Sequence, residues 1–200
     1  FYAIIALLTN FGSQYSAKFL RRISLLHLLG MLCIFLFLIV ISKILMGSFV
    51  LGGILATIFI PAFFEEISKH FSVLGLLGKS FSFSLRDLTL FTFCVVLGFV
   101  FVENILYFFA HGATVGLSIF RSIFVFSVHL LSSLICTLVW WKSLGEKFGS
   151  IRYFSWFLLG VLGATLIHML YNYSISAGNN ILFLPYAVAA YGLFVYLIKK

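Results

Sequence analysis

Long apolar stretches recur along this chain, with too little charge inside them for a water-soluble core to hold them all. They fall at about residues 23–46, 53–77, 88–110, 119–141, 153–175 and 181–198. Each approaches the roughly 20 residues that a helix needs to cross a hydrocarbon layer about 30 Å thick. Hydrophobic residues make up 63% of the 200 residues and charged ones only 9%, with a mean hydropathy of +1.20. A soluble domain of this length needs far more polar surface to cover its core. The predicted fold is all-α, a polytopic transmembrane helix bundle with about six to seven membrane-spanning helices.

Connections between the stretches are short and carry turn formers: Gly47 and Ser48, the run from Lys79 to Ser84, His111 and Gly112, Gly145 and Gly149, and Ala177 to Asn180. With no linker, low-complexity tract or internal repeat, residues 1–200 read as a single integral-membrane domain. Residues 1–8 are too short to span and are expected to be the tail of a helix that starts upstream. They lack the basic flank and cleavage site of a signal peptide.

The net charge of +8 has its simplest explanation in the loops. Lys18, Arg21 and Arg22, then Lys79 and Arg86, then Lys142, Lys147 and Arg152, and finally Lys199 and Lys200 hold ten of the thirteen basic residues. Alternate ends hold only Lys43 and Arg121, while Lys69 lies within a span. That alternation predicts a positive-inside topology with the C-terminus cytoplasmic. No aromatic-interleaved basic patch argues for nucleic acid. Cys33, Cys94 and Cys136 lie in apolar stretches without a CxxC pair, so they read as small packing residues rather than as a disulfide or metal set.

Against this background the acids stand out. Three of only five, Glu65, Glu66 and Glu103, lie inside apolar segments. A carboxylate in a bilayer costs several kcal/mol unless it meets a partner or a polar cavity, and such a residue marks a functional site by default. Glu65 and Lys69 are four apart, as are Glu66 and His70, so each pair lies on neighbouring turns with the carboxylate first. A purely structural Glu65–Lys69 ion pair would explain that spacing equally well. Adjacent carboxylates point about 100° apart on a helix, so the two glutamates are expected to do different work.

Glu103 is followed by Asn104 and, one turn on, by Tyr107. Asn and Tyr serve as interhelical glue, but an acid there must stay protonated or meet a cation. His129 lies near mid-span, with Ser132 and Ser133 three and four residues on; a lone buried histidine is more often a core residue than a catalyst. His168 and Asn172 share a face, and an asparagine can fix the tautomer of an imidazole. His27 and His111 lie near segment ends and read as interfacial. At about 1.5 Å per residue, Glu103 and His168 fall in the outer half of the membrane and His129 near its middle. Glu65 matches their depth only if its helix begins near Gly53 or later.

The ordered set of Glu65, Glu66 and Lys69, then Glu103, Asn104 and Tyr107, then His129, then His168 and Asn172 resembles the PrsW family of intramembrane proteases. These are relatives of the CAAX-processing and bacteriocin-processing membrane proteases. The motifs span about residues 53–175. The CAAX-type pattern would place arginine at position 70 and phenylalanine at 125, where this chain has His70 and Val125. Both departures favour the PrsW branch. The resemblance implies a multi-pass protein of a bacterial cell membrane, acting on a membrane-anchored protein such as an anti-sigma factor.

Peptide hydrolysis needs a water nucleophile, a base for its proton and donors for the developing oxyanion. A low-dielectric cavity makes a carboxylate hold a proton more tightly, which suits a base near neutral pH. Glu65 or Glu66 is expected to fill that role, the other being held by Lys69. His168, oriented by Asn172, and His129 would polarise the carbonyl or bind the water, with Glu103 completing the polar shell. The preferred expectation is a metal-free glutamate mechanism with no required cofactor. Glu66, His129 and His168 could alternatively hold zinc, although no His-Glu-x-x-His signature occurs. A proton-coupled transporter is the rival class, since it also buries Glu and His at mid-membrane.

Overall fold

The computed structural model describes residues 54–77, 84–112, 114–147, 149–178 and 183–200. The segments expected at 1–8 and 23–46 lie outside these. The described residues form five helices: α1 (Ile54–Leu77), α2 (Leu85–His111), α3 (Val115–Gly145), α4 (Ile151–Ser176) and α5 (Phe183–Ile198).

Local chemistry sets the helix ends. Ser84 Oγ accepts the Asp87 N–H at 3.1 Å while the Asp87 carboxylate accepts the Ser84 N–H at 3.0 Å, a reciprocal cap that starts α2. This lies upstream of the start expected at 88, because the cap residues are polar and precede the apolar run. Thr114 caps α3 by accepting from Leu117 N–H, and Ser150 caps α4 by accepting from Tyr153 N–H. Gly112 ends α2 at φ 80°, a conformation that glycine adopts without a Cβ penalty. In α1, Pro61 removes one backbone hydrogen bond a turn ahead of Glu65. Within α3, residues Arg121–Val125 form a π-helical turn and Lys142–Gly145 close the helix as a 3-10 turn.

The long helix α3 lies at the centre and touches all four others, with α1 packed against α4 and α2. One apolar cluster joins Val96 and Val100 of α2 to Leu130 and Leu134 of α3 and to Ala190 of α5. A second joins Val73 of α1 and Leu88 of α2 to Trp140 of α3 and Val161 of α4. Polar ties cross the same interfaces: Thr92 and Thr137 share a 2.7 Å hydrogen bond between α2 and α3. Helices α3 and α4 approach closely at Gly160 of α4, where a Cβ would lie 3.0 Å from the Cys136 carbonyl oxygen of α3.

Large apolar side chains such as Phe101, Phe109, Leu158, Leu166 and Val188 point outward. Such a surface suits lipid, where α-helices satisfy their own backbone polar groups. Helices α2, α3 and α4 are each long and apolar enough to cross a membrane. Helix α1 has 24 residues but carries Glu65, Glu66 and Lys69 in its middle. Helix α5, with 16 residues, is about 24 Å long.

Candidate active site

Four helices deliver the polar residues to one place. Glu66 and Lys69, three apart on α1, are 0% and 1% exposed, and Lys69 Nζ donates to Glu66 Oε1 at 2.5 Å. The same oxygen accepts from Ser132 Oγ of α3 at 2.9 Å and lies 3.0 Å from His168 Nδ1 of α4. Ser133 Oγ reaches Glu66 Oε2 at 3.5 Å. Charge-assisted bonds of this kind compensate a carboxylate removed from solvent.

Lys69 also faces α3, with Nζ 3.2 Å from His129 Nδ1. The other nitrogen, His129 Nε2, lies 2.9 Å from Glu103 Oε2 of α2. The second Glu103 oxygen accepts from Arg121 Nη2 at 2.6 Å. Arg121 donates from Nε to Asn104 Oδ1 at 2.7 Å and lies over the Tyr107 ring at 4.0 Å. The rings of His129 and His168 meet edge to face, 4.6 Å between centroids. On the far side of His168, Nε2 lies 3.7 Å from Glu65 Oε2, and the Glu65 side chain is 24% exposed.

The expected residues therefore converge, but several pairings differ from those that spacing suggests. Lys69 takes Glu66 rather than Glu65, because the i,i+3 geometry and the serines of α3 draw both groups inward. His70 does not meet the Glu66 carboxylate: its Nδ1 bonds the Glu66 backbone carbonyl at 2.7 Å. The Glu66 side chain has turned away toward Lys69 and His168. Both nitrogens of His168 face carboxylates, so Glu66 holds the position expected of the Asn172 side chain.

Three participants were absent from the expected set. Ser132 and Ser133 were visible only as hydroxyls one turn beyond His129. Arg121 was legible as a cation at a span end, and Glu103's need for a cation was the signal that joins them.

Three donors, from Glu65, His129 and His168, lie within 4.8 Å of one another. This set differs from the expected Glu66, His129 and His168. Glu66 is sealed in and its Oε1 already serves Lys69, Ser132 and His168, whereas Glu65 faces the open side. The residues suit a divalent metal on two further counts. Glu66 engages His168 Nδ1 and leaves Nε2 toward Glu65, the relation in which a carboxylate orients a ligating imidazole. Glu103 Oε2 is buried and has His129 Nε2 at 2.9 Å as its neighbour, so it holds that ring beside the donor set. Nitrogen and carboxylate oxygen together are a zinc-type donor set.

An all-helical membrane protein that gathers two imidazoles and a carboxylate around one buried polar centre has the parts of a membrane-embedded hydrolase. The chain belongs to the PrsW family of intramembrane metalloproteases, whose family match runs over residues 20–198. It is therefore a membrane-embedded peptidase, which decides between the hydrolase and transporter readings. No curated protein and no solved structure matches the chain.

Proposed function

We propose that this protein is an intramembrane endopeptidase in which Glu65 takes the proton of the attacking water. One observation carries the assignment. Of the three glutamates at the site, Glu66 is neutralised by Lys69 and Glu103 by Arg121. Glu65 alone has no lysine or arginine partner among the described residues, and it faces His168 Nε2 from the more open side. A base must be reachable by water and substrate, and its carboxylate must not be tied up in an ion pair with a lysine or arginine.

The remaining side chains divide the other tasks. Glu66, fixed by Lys69, Ser132 and Ser133, holds His168 by Nδ1 and so directs Nε2 toward Glu65. His129 sits between Lys69 and Glu103 with its ring against His168, and the two imidazoles are placed to orient the scissile carbonyl. Glu65, His129 and His168 are the residues that would hold a zinc-like ion, which when bound polarises the carbonyl and acidifies water. A carboxylate has two oxygens, so Glu65 can contribute a donor atom and still accept a proton on the other. The polar wall around them keeps each group oriented while the surrounding apolar helices limit water.

The substrate in this reading is a membrane-anchored protein, an anti-sigma-factor-like regulator being the candidate that family membership suggests. The setting is a bacterial cell membrane, and the six to seven crossings expected from the apolar stretches of the sequence remain part of this reading. A cytoplasmic C-terminus is supported by the basic residues Arg86, Lys142, Lys147, Arg152, Lys199 and Lys200, which all belong to one end of the alternating helices. Counted from that end, Glu103, His129 and His168 lie about 27, 24 and 26 Å along their helices, so the three share one level in the bundle.

Mapping of new N-termini in membranes of cells making the wild type, Glu65→Gln or His168→Ala tests the proposal. A cut near a transmembrane segment that needs both residues supports it and names the substrate. No dependent cut at equal expression would overturn it.

A further inference from the structure

Arginine is rare inside apolar helices because its charge must be neutralised on the spot. Arg121, in the long apolar helix α3, is 8% exposed. Three consecutive contacts on one face of α2 receive it: Glu103 Oε1 at 2.6 Å from Nη2, Asn104 Oδ1 at 2.7 Å from Nε, and the Tyr107 ring at 4.0 Å. The planar fork of a guanidinium can serve all three at once, which an ammonium cannot.

The other Glu103 oxygen lies against His129 Nε2 at 2.9 Å, and His129 is on the same helix as Arg121, eight residues later. In a regular α-helix residues eight apart stand about 80° apart in projection. The π-helical turn Arg121–Val125 lies between them. A π turn absorbs one extra residue, about 100° of rotation, and so leaves about 20° between Arg121 and His129. Both side chains then meet the two oxygens of one carboxylate on the facing helix.

We infer that Arg121 is a positioning residue of the peptidase site, clamping Glu103 through Oε1 so that Oε2 is set against His129, with the π turn as the device that aligns the two. The inference rests on the peptidase reading for its catalytic consequence, but the clamp is a property of the resting protein. A merely neutralising arginine would leave the His129 ring indifferent to its removal once the fold is intact.

The test uses the full chain purified in detergent with 15N-labelled histidine, His129 being assigned by its loss in His129→Gln. Arg121→Gln is expected to melt cooperatively, to move the His129 ring resonances and to lower cleavage of the mapped substrate about tenfold or more. Arg121→Lys, which reaches one carboxylate oxygen without the fork, restores them in part. In a Glu103→Gln background neither Arg121 variant moves the resonances further. If Arg121→Gln does not fold, Arg121→Lys carries the same comparison with and without Glu103→Gln.

His129 resonances that stay in place in a folded Arg121 variant would overturn the inference. So would equal displacements in the presence and absence of Glu103. The resonances are read without any cleavage, so an inactive wild type would count against the peptidase reading alone.

Discussion

Glu66 is the carboxylate that Lys69 neutralises, at 2.5 Å, while its neighbour Glu65 faces His168 at 3.7 Å. Two adjacent residues of the same type thus have opposite situations, one sealed and fully bonded, the other partly open and without a fixed cation. The helix produces this split because successive side chains diverge by about 100°. It separates holding the site together from doing chemistry in it.

Glu65→Gln and Glu66→Gln are therefore expected to be equally inactive but unequal in stability. In chelator-treated, metal-free protein, Glu65→Gln leaves the melting temperature in detergent close to wild type. Glu66→Gln leaves Lys69 as an uncompensated buried charge and weakens its links to Ser132 and His168, costing about 3 kcal/mol or more. Melting and substrate cleavage measured on the same preparations check this, and equal stability of the two would refute the division of roles.

Lys69→Met removes the cation and strands Glu66, with an expected loss of about 3–5 kcal/mol. Adding Glu66→Gln to it recovers part of that loss, since no charge is then left unpaired. A double-mutant cycle on thermal unfolding measures the coupling. Strictly additive losses would show that the pair is not coupled.

The donor set predicts that purified protein binds about one divalent ion per chain. His168→Ala abolishes this binding, and Glu66→Gln weakens it about 10–100-fold by releasing the His168 ring. Elemental analysis before and after dialysis against a chelator, with zinc added back, gives the answer. Full cleavage by chelated, metal-depleted protein would favour the glutamate-only mechanism.

Helix packing yields a prediction far from the chemistry. Gly160→Ala places a Cβ 3.0 Å from both the carbonyl oxygen and the sulfur of Cys136. The carbonyl is fixed in α3, so the helices must part, at about 1–3 kcal/mol. Gly163→Ala, whose nearest neighbour is a side-chain carbon at 4.0 Å, is tolerated. A comparison of the two melting curves checks the close approach.

The sequence by itself determined the class of fold and the inventory of the site. Apolar length dictates helices wherever lipid leaves the backbone without water, and acids in such segments are too costly to be incidental, which is why Glu65, Glu66, Glu103, His129 and His168 could be singled out. Spacing along one helix could say which residues share a face, but not which of two faces meets which neighbour. Only the tertiary structure decided that Lys69 serves Glu66, that Glu66 rather than Asn172 engages His168, and that Arg121 closes on Glu103. The last two pairings join residues 102 and 18 apart in the chain on different helices, and the Arg121 contact also depends on a π turn, which shifts register without an apparent mark in the sequence.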